Sequence, residues 1–209
     1  MARNGNGNGQ IKGELKPVMR RSNGSVLFSN GMVRTPVARL SFVNLQTPRE
    51  QTNEDGSTRS VYSCVLLFPK GEDLTLLRLA CERFQKELGS KGQKLTRKSP
   101  LRMQDEKVDD YQGFVKGAYF MNTTTKFKMR PIDRDKNEIG LDSFYSGCYA
   151  RVTLRPYYYS QRGNSGIGLG LSALQFIRDG ESLGGGGIDP QDAFDRDESE
   201  NIDDVEDLT

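Results

Sequence analysis

Apolar residues recur at every second position in stretch after stretch of this chain, and at every third or fourth position in a single one. Period two belongs to a half-buried strand and period 3.6 to a helix, so the pattern commits the chain to a mainly β fold with one helix. Val33 to Leu45 reads as a strand: Ala38, Leu40 and Phe42 alternate with Arg39, Ser41 and Val43. Thr47 to Ser60 is polar, carries Pro48 and Gly56, and reads as a long loop. Val61 to Phe68 is a more continuous apolar strand closed by Pro69 and Gly71. From Asp73 to Leu88 the period changes: Leu74, Leu77, Cys81, Phe84 and Leu88 make one helical stripe, with Asp73 as N-cap and Gly89 as terminator. That stripe reads as a lid on the core.

Strands are expected again at Gly113–Thr123 and Lys126–Ile132, then, after a turn at Asp133–Asp142, at Ser146–Pro156. There Ala150, Val152 and Leu154 share one face, and Tyr149, Arg151, Thr153 and Arg155 the other. After a loop at Gln161–Ser165, a last strand spans Gly166–Arg178, its Ile167, Leu169 and Leu171 alternating with glycines. Five or six strands, one helix and long loops describe a small β-barrel.

The ends differ from this body. Residues 1–18 include Asn-Gly-Asn-Gly-Asn-Gly, with nothing to bury, and read as disordered. Residues 184–209 begin with four glycines, a hinge, and continue as an acidic tail. The folded domain is expected over 19–183. The chain has 30 Lys/Arg and 28 Asp/Glu, but from Asp189 onward there are ten carboxylates and one arginine. The preceding 188 residues therefore hold 29 basic against 18 acidic groups, a net of +11 joined to a segment of −9. Charge segregated in this way fits a body that binds a polyanion and a tail that competes for it or recruits a partner. It also fits a tail that only solubilises.

Several chemistries are excluded. No histidine is present, which removes the commonest general base and metal ligand, and with it any triad built on histidine. Without a Cys-x-x-Cys pair there is no zinc ligand set, and without a Gly-Lys dipeptide no P-loop. Asp133, Asp135 and Asn137 begin like a calcium loop, but Glu138 stands where glycine is needed and Phe144 where the closing glutamate belongs. Gly166, Gly168 and Gly170 have the wrong spacing for a dinucleotide loop. Asp105, Glu106, Asp109 and Asp110 could serve a metal-dependent nuclease, yet their polar surroundings are those of a solvated loop. No cofactor and no catalytic residue is expected. Cys64, Cys81 and Cys148 read as buried free thiols, which with no apolar span and no signal peptide in view makes a cytoplasmic protein the expectation.

The constellation with a positive meaning is cations interleaved with aromatics. Lys126, Lys128 and Arg130 share one expected strand face; Tyr149, Arg151 and Arg155 share another, followed by Tyr157, Tyr158 and Tyr159. Arg39 and Lys116 add charge on neighbouring strands. Cations neutralise phosphates and flat rings stack on unpaired bases, which is what single-stranded nucleic acid requires. A solvated outer face with tyrosines packed at the barrel rim would look the same.

Three stretches carry a resemblance. They are Val33-Arg34-Thr35-Pro36-Val37-Ala38-Arg39-Leu40-Ser41-Phe42, Phe144-Tyr145-Ser146-Gly147-Cys148-Tyr149-Ala150-Arg151-Val152, and Gly166–Leu171 leading into Leu174-Gln175-Phe176-Ile177-Arg178-Asp179-Gly180-Glu181. From about Val33 to Gly187 the chain resembles the OB-fold single-stranded-DNA-binding proteins of tailed phages. The resemblance implies a five-stranded barrel with an inserted helix, a part in phage DNA replication, recombination or repair in the host cytoplasm, and no catalysis. Alternatives from the residues alone are a metal-dependent nuclease or recombination enzyme, and a structural virion protein. Partners implied are single-stranded DNA and, through the tail, replication proteins; self-association is left open and no membrane is expected. In many replication single-strand binders the acidic tail ends in an aromatic. Here it ends Asp207-Leu208-Thr209 and its aromatic is Phe194. The candidate partner-facing residues are Phe194, Ile202, Asp203, Asp204, Val205, Glu206, Asp207 and Leu208.

Overall fold

The computed structural model describes residues 15–52, 56–96, 99–161 and 163–184. The tail residues Phe194 and Ile202 to Leu208 lie outside them. Strands β4 (Ala38–Thr52), β5 (Thr58–Leu67), β7 (Tyr119–Thr125), β8 (Tyr149–Gln161) and β9 (Asn164–Arg178) form the barrel. β4 pairs antiparallel with β5, β5 with β7 and β8 with β9, while β7 meets β9 in parallel at Thr124 and Gly170. β8 returns to β4 through Ala38 and Ala150, which closes the ring. This is the closed five-stranded barrel that the alternation and the resemblance led one to expect.

Three short strands extend the sheet: β1 (Pro17–Arg20), β2 (Val26–Phe28) and β3 (Val33–Arg34), the last paired with β8. The sequence pattern did not foresee β1 or β2, and β1 begins two residues before the expected start of the domain. β6 (Arg102–Met103) adds an edge beside β7.

Helix α1 (Thr75–Ser90) buries Leu76, Leu77, Ala80, Cys81 and Leu88 in the main core beside Leu40, Leu66, Met121 and Leu154. It starts two residues later than expected. The Asp73 carboxylate accepts the Thr75 N–H at 2.9 Å, so Asp73 stands one place before the N-cap, which is Leu74. Hydrogen bonding from the Thr75 side chain, and then from its N–H, holds the Asp73 carboxyl below its ordinary value. Gly89 lies inside the last turn, and Gly92, with φ of 72°, follows the C-cap Lys91.

Four other expectations need correction. The loop expected over Thr47–Ser60 is largely strand: β4 runs on to Thr52 and β5 starts at Thr58, because Pro48 falls where the ladder is already interrupted, between Asn44 and Arg49, and so breaks no paired N–H. Gln161–Ser165 is likewise the tip of the β8–β9 hairpin, closed at Gly163 with φ of 72°. The strand expected from Gly113 begins only at Tyr119. Lys126–Ile132 is not a strand at all; its single ladder contacts are bridges from Ile132 to Glu138 and Gln175. Lys126, Lys128 and Arg130 are exposed, but not as one strand face.

Candidate nucleic-acid interface

A break in alternation creates the site. In β4, Ala38 and Leu40 point inward, and alternation would send Phe42 after them. Ser41 pairs with Val65 and Asn44 with Ser63, so three steps on β4 answer two on β5. This β-bulge inserts Phe42 as the extra residue. Its φ is 48°, a conformation rare for a bulky side chain. Beyond it the parity is reversed: Val43 packs against the core, Leu45 is buried, and the Phe42 ring stands outward, 46% exposed.

The ring opens onto a groove of about 290 Å³ across the outer face of three barrel strands. Asn44 of β4, Ser63 and Val65 of β5, and Asn122 and Thr124 of β7 line its floor. The segment between β6 and β7 forms the wall. Tyr111, 41% exposed, meets Phe42 edge-on with centroids 5.1 Å apart. Behind it Phe114 and Phe120 continue the aromatic row and pack with Leu67 as a small separate core. Gln104 anchors this wall. Its buried amide donates to the carbonyls of Phe68 (3.1 Å) and Tyr119 (2.6 Å) and accepts from the Val115 N–H (2.7 Å).

Charge in the groove has one sign. Arg49, Arg102 and Lys107 line it, and no carboxylate lines it among the described residues. Lys107 Nζ lies 5.3 Å from the Tyr111 ring and Arg102 lies 4.4 Å from that of Phe120, so two cations are held against aromatic faces. Just past Thr124, Lys126 sits 5.2 Å from the exposed Phe127 ring.

Apart from Lys126 and Lys116, the residues singled out from the sequence fall elsewhere. β8 keeps its alternation, so Tyr149, Arg151 and Arg155 face outward as expected, and Tyr157 and Tyr159 continue that face, but on another side of the barrel. Tyr158 is turned inward against the main core. Arg39 donates to the carbonyls of Gly147 (3.2 Å) and Glu181 (2.7 Å), and Tyr149 carries the Arg178 guanidinium at 3.4 Å, so both hold the chain after β9 in place. Arg130 is ion-paired with Glu138 at 3.0 Å. Lys128 and Arg130 border a second groove that Glu138 and Asp142 also line. Lys116 is exposed on the wall segment.

Sequence reasoning missed Phe42, Arg49, Arg102, Lys107, Tyr111 and Phe114. The last four lie in or beside a basic, non-periodic stretch, and aromatics within such a stretch were the available signal. Asp105 spends a carboxylate oxygen on the Gly117 N–H at 3.1 Å. Among the described residues no three His, Cys, Asp or Glu side chains come together so as to hold a metal ion. Nor is any described helix long and apolar enough to cross a membrane.

The barrel matches solved structures. The single-stranded DNA-binding protein from bacteriophage Enc34 in complex with ssDNA superposes with a TM-score of 0.68 at 20% identity, over 82% of this chain and 99% of that one. Its C-terminally truncated form gives 0.66 at 17%, over 81% and 98%. At these identities the likeness establishes the fold. A curated relative, putative protein p50 of Acyrthosiphon pisum secondary endosymbiont phage 1, is 30% identical over 95 residues, 44% of this chain. The match spans half of that protein's length. A family profile described as the ssDNA-binding protein of Enterobacter phage Enc34 matches residues 29–206. With most of its length so matched, this chain belongs to the Enc34 family of phage single-stranded-DNA-binding proteins.

Proposed function

We propose that the chain binds single-stranded DNA without regard to sequence, along the groove over β4, β5 and β7. Its family consists of binding proteins, not enzymes. The observation that carries the reading is the pair of exposed rings, Phe42 and Tyr111, set among Arg49, Arg102 and Lys107 with no lining carboxylate among the described residues. Rings offer stacking surface to any base, and the cations take phosphates. The outer face of the second and third barrel strands is also where OB folds take oligonucleotides. Lys126 with Phe127, and Lys128 beyond them, extend the path from the end of β7.

The protein coats and protects single strands during phage DNA replication and recombination. Its acidic segment from Asp189, tethered by glycines, competes with DNA for the cationic surface at millimolar-order effective concentration. Phe194, Ile202, Val205 and Leu208 are the apolar side chains that segment offers to a replication protein. The test is fluorescence anisotropy with labelled oligo-dT, with and without Mg²⁺. Tight, metal-independent binding that Phe42→Ala and Tyr111→Ala both weaken supports the reading. Metal-dependent shortening of the oligonucleotide, or no binding at all, contradicts it.

A further inference from the structure

A second cationic surface lies away from the groove. Around the barrel β8 is bonded to β4 and β9, not to β5 or β7. Its outward positions include Arg151, Arg155 and Tyr157. β3 sets Arg34 opposite Thr153, and β2 sets Val26 opposite both Arg34 and Arg20. Directly paired residues share a face, so Arg20 and Arg34 stand on the Arg151 side of the sheet.

Among the described residues these three guanidinium groups gather without an answering acid. Arg34 Nε donates to the Gly24 carbonyl at 3.0 Å. Arg151 Nε is buried and has no partner. The Arg151 guanidinium covers Gly24 so closely that a Cβ there would lie 2.6 Å from it. The neighbouring acids at the start of α1 are engaged: Glu72 accepts from Asn23, and Asp73 faces Thr75 and Arg21. Among the described residues the ion pairs are Arg21–Asp73, Lys91–Glu87 and Arg130–Glu138, and none reaches the cluster. Burial, then the charges of Arg151 and Arg20, hold Arg34 below the usual arginine value.

Like charges in a partly dehydrated place are unfavourable until an anion joins them. The planar guanidinium fork matches phosphate oxygens two at a time. Further along the same strand face come exposed Arg155 and the Tyr157 ring, 42% exposed. That ring rests on Gly168, where a Cβ would lie 2.3 Å from Cζ, so one of its faces is covered and its position fixed. An acidic peptide would find the arginines useful and the ring idle; a nucleic acid uses both.

We propose that the outer face of β8 is a second nucleic-acid track, gripping the phosphodiester backbone at Arg20, Arg34, Arg151 and Arg155 and stacking a base on Tyr157. The proposal rests on the reading that the chain binds single-stranded DNA, and extends it from one groove to two faces. A strand long enough to leave the groove engages this track, and a short one does not.

The test uses the full chain, two oligo-dT lengths, one filling the groove alone and one several times longer, and a salt series. Arg20 and Arg155 are exposed, so R20Q/R155Q unloads no core. It should lower the magnitude of the long oligonucleotide's log–log salt slope by about 1.4, two phosphates at about 0.7 each. The reduction should be confined to the long oligonucleotide, and Y157A should weaken that same complex. An unchanged slope on the long oligonucleotide overturns the track and leaves the groove standing. F42A/Y111A reports on the groove separately: it should abolish tight binding of the short oligonucleotide, and if it does not, the groove reading fails. If the acidic tail occupies this face instead, R20Q/R155Q would release it toward the groove and weaken short-oligonucleotide binding, which also overturns the proposal.

Discussion

Replacing Phe42 with glycine separates a binding ring from a packing ring. In the folded state the change removes an edge-to-face contact with Tyr111, worth about 0.5–1.5 kcal/mol. It also removes partial burial of a ring that is 46% exposed, about half of the roughly 1.5–3 kcal/mol of full burial. Against these losses, the φ of 48° costs a side chain on the order of 1–2 kcal/mol and costs glycine almost nothing. The extra unfolded-state freedom of glycine takes back about 0.5–1 kcal/mol. The terms leave a net loss of about 0–3 kcal/mol, a shift in Tm of at most roughly 12 °C for a chain of this size. Binding has no such compensation. A lost stacking platform costs about 1–3 kcal/mol, or about 5- to 150-fold in Kd. Thermal melting and oligo-dT anisotropy on the same preparation read both quantities. Unchanged affinity in a folded F42G protein would refute the stacking role; cooperative unfolding below room temperature would show that the ring is structural.

Gln104→Leu should cost about 2 kcal/mol in chemical denaturation, since it strands the buried Phe68 carbonyl and the Val115 N–H, and should weaken DNA binding by loosening the wall that carries Tyr111. Lys107→Gln should leave the Tm within error and reduce the salt slope by about 0.7 if the ammonium contacts one phosphate. Asp133 accepts from Asn137 and the Asp135 N–H, and the Asn137 bond holds its carboxyl below the ordinary value. Its contribution is therefore present above the unfolded carboxylate pKa and lost as pH falls through the lower folded value; D133N should remove that part of the acid dependence of stability, and identical profiles would disprove it. Burial pushes the Cys64 thiol up to about 12, so a thiol reagent at pH 8 should label it only after denaturation. Deleting Asp189–Thr209 should tighten oligo-dT binding at low salt more than at high salt, and equal affinities at low salt would remove the competing role of that segment.

The barrel was legible because β8 and β9 are long strands whose inward positions are filled by Ala150, Val152, Leu154, Ile167 and Leu169, with polar or glycine positions between. The groove was not, and the reason lies at Phe42. A period-two argument assumes one residue per step, and a single inserted residue moves every later side chain to the other face. Nothing local in Leu40-Ser41-Phe42-Val43 announces that insertion; the ladder to Val65 and Ser63 imposes it. Tyr111 and Lys107 were hidden differently. They sit on a stretch whose one regular piece is a single 3-10 turn at Asp105–Lys107, held by one buried glutamine, and periodicity has no purchase there. The Lys126–Ile132 strand was a false positive: Lys126, Phe127, Lys128, Met129 and Arg130 alternate, but Phe127 and most of that stretch stay in solvent, with no strand beside them to pair.

The central claim is that single-stranded DNA lies in the groove over β4, β5 and β7. Photocrosslinking the full-length protein to an oligo-dT that carries one 5-bromodeoxyuridine, followed by peptide mapping, tests this most directly. The account predicts adducts on Phe42 or Tyr111 with a short oligonucleotide at low protein-to-DNA ratio. Adducts confined to Tyr157–Tyr159, with none on Phe42 or Tyr111, would contradict it.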